Sequence, residues 1–166
     1  MHNFQSPGAD ISSPVIPGLL RIKRLNSRAT MPRYQSAGAA GFDLHAVLPD
    51  GERNYVSHQN PREFSTGLAF EVPEGWVMQV YSRSGHGFKN SVRLANCTGV
   101  IDSDFRGEVR VKLCTDADYT SDHLIISHGD RIAQAVLVPA PQFRLQEVVE
   151  LSDTVRGTGG LGSTGQ

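Results

Sequence analysis

The sequence is poor in the features that would place it in several large classes. It has one tryptophan and two cysteines, Cys97 and Cys114, which lack both the spacing of a metal site and the density of a disulfide scaffold. No apolar run approaches the roughly 20 residues needed to cross a bilayer, and no charged-then-apolar leader opens the chain. Charge of one sign is missing too. A formal net charge of −1 offers no global field for a nucleic-acid duplex or an anionic membrane, so any phosphate ligand must be met by local donors. The six histidines are scattered and form no helical metal-binding pair. These absences predict no protein-ligated transition metal, no polymeric nucleic acid or membrane as partner, and a cytoplasmic or nuclear, not secreted, location with reduced thiols. A sustained 3.6-residue apolar period is also absent, which excludes a helical bundle.

What is present is turn chemistry between short alternating runs. Seventeen glycines and nine prolines in 166 residues predict an all-β fold of many short strands, within one domain's length of chain. Residues 1–18, rich in Asn, Ser, Gly and Pro, read as a flexible N-terminal arm. The strand domain is expected over 19–150 and a glycine-rich C-terminal arm over 151–166. Leu20-Arg21-Ile22-Lys23 reads as the first strand. Phe42 and Leu44 alternate with Asp43 and His45, so Asp43 projects from the face opposite Phe42. Leu68, Phe70 and Val72 share a face, and residues 76–81 form a further strand; both read as scaffold. The one helical element expected is a short helix near residues 84–89.

Chemistry concentrates in five places. Residues 99–109 read as a hairpin, with Asp102-Ser103-Asp104 at its bend and Val109, Val111 and Leu113 on the returning strand. An aspartate in a turn commonly caps backbone, so Asp102 alone points to nothing further. Ser82-Arg83-Ser84-Gly85 offers a guanidinium, two hydroxyls and free backbone amides, which suits an anion nest as well as a solvated turn. Asn96 precedes the hairpin, where a carboxamide reads a base edge or satisfies backbone. Gly129-Asp130 reads as a hairpin turn presenting Gln134 on the next strand. The chain ends in Arg156-Gly157-Thr158-Gly159-Gly160-Leu161-Gly162-Ser163-Thr164-Gly165-Gln166, the equipment for wrapping a polyphosphate, or a plain tail; it lacks the Gly-Lys-Ser/Thr of a P-loop.

Taken in order, Ala-Gly-Ala-Ala-Gly-Phe-Asp-Leu, Ser-Arg-Ser-Gly, Gly-Val-Ile-Asp-Ser-Asp-Phe-Arg-Gly-Glu, Gly-Asp-Arg-Ile-Ala-Gln and the terminal glycine-rich segment resemble the five motifs of the homotrimeric dUTPase family. The resemblance runs from about Leu20 to the C-terminus. It implies a distorted β-barrel or jelly-roll-like protomer and a trimer with three shared active sites. In each site one chain supplies the first, second and fourth motifs, a second chain the hairpin, and a third its C-terminal arm as a lid. The implied reaction is hydrolysis of dUTP to dUMP and pyrophosphate with Mg²⁺ on the triphosphate, limiting uracil in DNA and supplying dUMP for thymidylate synthesis.

Carried onto this chain, the resemblance makes Asp102 the catalytic residue that orients and activates water for in-line attack on the α-phosphorus. An aspartate is a weak base, so positioning should matter as much as proton removal. Arg83, Ser84, Gly85 and Gln134 would hold phosphates, joined by Arg156, Gly162, Ser163 and Thr164 of the arm. Asp43 would support the water shell of Mg²⁺, an ion that keeps its waters and leans on phosphate oxygens. Asn96 with the backbone of Gly99, Val100 and Ile101 would read uracil and exclude the 5-methyl of thymine. Two positions depart from the family pattern. Phe105 stands where Tyr is common, and its ring still presses on the deoxyribose. Leu161 stands where a Phe usually stacks on uracil, which predicts a looser lid.

Two other readings compete. The related dCTP deaminases carry a Glu on the strand after the hairpin, where this chain has Lys112; Glu108 is the acid near enough to replace it. A dUTPase-derived regulatory module is the other, with the N-terminal arm and residues 51–61 as contact segments that read equally as solvated loops.

Overall fold

The computed structural model describes residues 18–57, 60–115 and 124–160. Within them eleven strands and one short helix follow one another: β1 Arg21–Arg24, β2 Phe42–His45, β3 Arg53–Val56, β4 Arg62–Ser65, β5 Leu68–Glu71, β6 Trp76–Tyr81, α1 Ser84–Asn90, β7 Val92–Leu94, β8 Thr98–Ile101, β9 Arg110–Thr115, β10 Leu124–Ser127 and β11 Arg131–Pro139. All pairings are antiparallel. The four sheets are β2-β11-β6-β8, β4-β9-β7, β1-β5 and β10-β3. The fold is all-β and jelly-roll-like, and no closed barrel forms among the described residues.

Period-2 alternation explains the strands. In β2, Phe42 and Leu44 are buried while Asp43 and His45 are half-buried on the other face. Phe42 stacks on Phe70 with ring centroids 6.1 Å apart, and Leu44, Leu68, Met78, Leu94, Leu113 and Ile132 complete a core of fully buried side chains. Each such side chain contributes about 1.5–3 kcal/mol of burial.

The register of the largest sheet places the polar face. Gln134 of β11 sits opposite Asp43 of β2 on one side and Tyr81 of β6 on the other, and Arg131 sits opposite His45. A bulge between Arg131 and Ala133 shifts the register there; bulges of this kind re-aim a side chain and recur beside active sites. The strand start at β2 depends on Gly41, where a Cβ would come within 2.6 Å of the Ala135 carbonyl oxygen.

Two expected hairpins are corrected by the pairing. β8 hydrogen-bonds to β6 and β9 to β4 and β7, so residues 99–109 cross from one sheet to another. The crossing chain is anchored at Val109, whose amide donates to the Leu68 carbonyl at 2.9 Å and whose carbonyl accepts from Thr66 Oγ1 at 2.6 Å. Residues 127–130 do turn, with Asp130 N donating to Ser127 O at 3.1 Å. But β10 pairs with β3 and β11 with β2 and β6. In both cases the partner strand is distant in sequence, and local turn chemistry carries no information about it.

Candidate active site

At one end of β6 the chain gathers a polar cluster on the outer face of the large sheet. Asp43 is its centre. Its Oδ1 accepts from Arg83 Nε at 2.9 Å and its Oδ2 from Arg131 Nη1 at 3.3 Å. The Asp43 side chain is 12% exposed and that of Arg83 21%, so these pairs are partly shielded from water and stronger than surface pairs. The Arg131 carbonyl receives His86 Nε2 at 2.7 Å and Arg83 Nη1 at 3.4 Å, which ties α1 to the start of β11. Gln134 Nε2 donates to the Ser82 carbonyl at 2.9 Å, and Ser82 Oγ accepts from Leu94 N at 2.9 Å. Arg83 is thereby held from both sides. Ser84 and Gly85 form the first turn of α1, and their amides take no backbone partner among the described residues. Burial pushes the neighbouring His45 imidazole below its usual pKa; Asp43 opposes that shift, while Arg131, Arg83 and Arg33 add to it.

At the other end of β6 the arrangement is sparse. Ile101 lies opposite Met78 and Thr98 opposite Tyr81, so Asp102 lies beyond the Met78 end while Arg83 follows the Tyr81 end. At roughly 3.3 Å per strand residue, about 15–20 Å separate Asp102 from Arg83. Asp102 lines a broad groove of about 1390 Å³ with Ser103, Asp104 and Arg106. The turn is closed by Phe105 N donating to Asp102 O at 3.2 Å, and Arg106 Nη1 braces it on the Ser103 carbonyl at 2.6 Å. The Phe105 ring lies across Gly107, where a Cβ would come within 2.6 Å of the ring tip. Asn96 is exposed at the start of β8, its Nδ2 donating to Thr98 O at 3.4 Å.

One segment of the described chain bears on the arm. Residues 140–160 form no strand or helix, and Phe143, Leu145, Leu151 and Val155 on them are largely exposed. Arg156 Nε folds onto the Gly159 carbonyl at 2.7 Å. Leu161, Gly162, Ser163 and Thr164 lie outside the described residues, as does the expected N-terminal arm except for Gly18.

The family model for dUTPase matches residues 27–165. A deoxyuridine 5'-triphosphate nucleotidohydrolase of Nautilia profundicola is 44% identical over 151 residues, covering 89% of this chain and 99% of that protein. This chain belongs to the dUTPase family. Its enzyme class is that of the dUTP diphosphatases. A relative of the same description from Rhizobium rhizogenes is 44% identical over 135 residues, covering 81% of this chain and 85% of that protein. Among solved structures, a variant dUTPase of Staphylococcus bacteriophage 80alpha with dUpNHpp superposes with a TM-score of 0.76 at 26% identity, covering 90% of this chain and all of that one. A variant dUTPase of phage phi11, described as revealing the coordination of a structural Mg(II) ion, superposes at 0.68 with 25% identity, covering 80% and 98% of the two chains.

Against this dUTPase frame, the residues fit Mg²⁺ in one manner only. Among the described residues no three His, Cys, Asp or Glu side chains converge, and both Asp43 oxygens already accept from arginines. That is no cage for a bare ion. It suits an ion that arrives on a triphosphate and keeps its waters.

Sequence reasoning missed three residues of this site. Arg131 holds Asp43 from 88 positions away, His86 braces Arg131, and Gly107 makes room for the Phe105 ring. Glu108, the acid weighed for deamination, has a structural task. Its Oε1 accepts from Ser65 Oγ and from Gly67 N, the latter at 2.7 Å. Glu108 is thus committed to the β4–β5 corner, and Lys112 is exposed on β9, an arrangement that gives the deaminase reading no support. Only Gly107, beside an aromatic in a turn, left a local signal.

Proposed function

We propose that this dUTPase-family chain hydrolyses dUTP to dUMP and pyrophosphate at sites shared between copies, and that Asp102 and the Arg83 cluster act together only across a subunit boundary. One observation carries this reading. Asp102 and the Asp43–Arg83–Gln134 cluster stand at opposite ends of β6, too far apart to grip the reacting phosphate and its neighbours within one chain. A second copy bringing its Asp102 against the first copy's Arg83 completes the machinery, and threefold closure makes three equal sites. The apolar residues of 140–160, uncovered in a single chain, support docking of the arm on a neighbour.

In the assembled site, Asp102 accepts a hydrogen bond from the attacking water and aims it at the α-phosphorus in line with the departing pyrophosphate. Arg83, pre-aimed by Asp43, meets the charge that grows on the phosphate oxygens. Gln134 keeps one amide N–H for the nucleotide while the other anchors the turn at Ser82. Ser84 and Gly85 supply unpartnered amides. Asn96 and the β8 backbone at Gly99, Val100 and Ile101 read uracil, and Phe105 covers the deoxyribose. Arg156, with Leu161, Gly162, Ser163 and Thr164, closes the site. Asp43 would help hold Mg²⁺, which when bound with the triphosphate would supply charge neutralisation. The free thiols Cys97 and Cys114 suit a reducing compartment.

The test is pyrophosphate release from dUTP compared with dTTP, dCTP and UTP, with and without Mg²⁺. Selective turnover of dUTP is expected. Equal turnover of all four, or conversion of dCTP to a uracil nucleotide, defeats the reading.

A further inference from the structure

We propose that His86 is a positioning residue for the site: through its bond to the Arg131 carbonyl it docks α1 on β11, and so fixes the backbone that carries Arg83 and Ser84. The use of that backbone in catalysis rests on the function proposed above; the docking does not.

α1 has little else to hold it. A seven-residue helix is far below the length that is stable alone, and helices in proteins are normally secured by packing an apolar face. α1 has no such face. None of its residues is buried, and Phe88, its one large apolar side chain, is 94% exposed. Gly85 and Gly87 lower its intrinsic helicity further. Its start is uncapped as well: Arg83 stands at the N-cap position without a side-chain capping bond, and the first turn holds no acidic residue.

Hydrogen bonds to other elements take the place of packing. At the C-terminal end Thr115 Oγ1 of β9 donates to the Asn90 carbonyl at 3.3 Å. At the other end His86 Nε2 donates to the Arg131 carbonyl at 2.7 Å. Among the described residues His86 is the one side chain of α1 that hydrogen-bonds outside the helix. A carbonyl only accepts, so a neutral His86 ring carries its proton on Nε2.

Arg131 suits this task. It stands where the register of β11 against β2 shifts, and bulges leave backbone groups out of the ladder. The same carbonyl receives Arg83 Nη1 at 3.4 Å, while Arg83 Nε and Arg131 Nη1 donate to Asp43 at 2.9 and 3.3 Å. His86 thus closes a ring in which helix, strand and carboxylate fix one another. Releasing it frees the first turn of α1, and a misplacement of about 1 Å can cost up to about 10²-fold in rate.

The test compares the full-length chain with His86→Ala and His86→Gln, reading amide hydrogen exchange along α1 and kcat/KM for dUTP. Alanine is the better helix former, so any loosening reports the missing bond and not helix propensity. Glutamine places an amide N–H near the position of Nε2. In His86→Ala, exchange at the Gly87 and Ser91 amides, which are bonded to the Arg83 and Gly87 carbonyls, is expected to quicken about fivefold, the loss of one hydrogen bond. The kcat/KM should fall about tenfold, with the melting temperature unchanged because α1 buries nothing. His86→Gln should restore most of both, which a packing role for the ring does not predict. Unaltered exchange in His86→Ala overturns the docking, and a glutamine variant that behaves like the alanine one overturns the hydrogen bond as its cause. Quickened exchange with kcat/KM intact leaves His86 structural and overturns its positioning role. Should the chain without substitutions fail to turn over dUTP while exchange still responds to His86, the functional reading and the link to catalysis fall, and the docking of α1 stands.

Discussion

The two ends of β6 are built on opposite plans. At the Tyr81 end Asp43, Arg83, Arg131 and His86 form one connected set of hydrogen bonds inside a single chain, with the Gln134–Ser82 bond beside it. At the Met78 end Asp102 stands on an open groove, its turn held by its own backbone and by Arg106. The first end is preorganised by folding and loses little on binding. The second is exposed, and in the function proposed above it gains its environment when another copy arrives. Groups meant to stabilise developing charge benefit from rigid placement, whereas a group that crosses a subunit boundary has to be accessible before assembly.

The contrast is broken most directly at Asp102. Asp102→Asn is expected to lower kcat about 10²–10⁴-fold with nucleotide affinity retained, measured by steady-state pyrophosphate release. Mixing Asp102→Asn chains with Arg83→Ala chains should then recover activity, with roughly a quarter of sites intact after random exchange into symmetric assemblies. No recovery on mixing would place both residues in the same chain's site and sink the division of labour.

At the crowded end, Asp43→Ala leaves two arginines without their carboxylate. Thermal or denaturant unfolding should show a loss of about 1–3 kcal/mol, together with a fall in kcat/KM as Arg83 loses its aim. A variant with unchanged kcat/KM would mean that the cluster does not position Arg83 for catalysis.

Gly107→Ala tests the exposed end more gently. The added methyl displaces the tip of the Phe105 ring, so discrimination between dUTP and UTP should drop several-fold, within the roughly 1–3 kcal/mol a small steric change supplies; unfolding should barely respond. Unaltered selectivity would remove Phe105 from the deoxyribose contact. A comparable but favourable effect is expected for Leu161→Phe, since an aromatic on a base contributes about 1–3 kcal/mol; KM for dUTP should fall, and a variant with both KM and kcat unchanged contradicts the looser lid.

The smallest effect belongs to His45. Its folded-state pKa lies below the usual 6.5, so in acid the unfolded chain binds a proton that the folded chain refuses. This contribution to stability is present above about pH 6.5 and is lost as pH falls through the lowered value. Melting temperatures compared across pH 5–8 should therefore decline less on the acid side for His45→Gln; identical profiles would show that the shift carries no stability.

Much of this was legible in the chain because the signals are local. Alternation marked β2, with Phe42 and Leu44 inward and Asp43 outward; residues 76–81 emerged as a strand and α1 within a residue of its expected end. The rest failed where the cause was remote. Residues 99–109 carry every mark of a hairpin, yet β8 and β9 join different sheets. Arg131 drew no role from the sequence because its partner Asp43 is 88 positions away.

By itself the sequence determined the strand faces, the turns and the five ordered motifs, since side-chain alternation and backbone preference depend on neighbouring residues alone. Tertiary structure decided which strand lies beside which, because ladder hydrogen bonds are made by backbone groups that every residue shares. That choice placed Arg131 on Asp43, and set Asp102 and Arg83 at opposite ends of one strand.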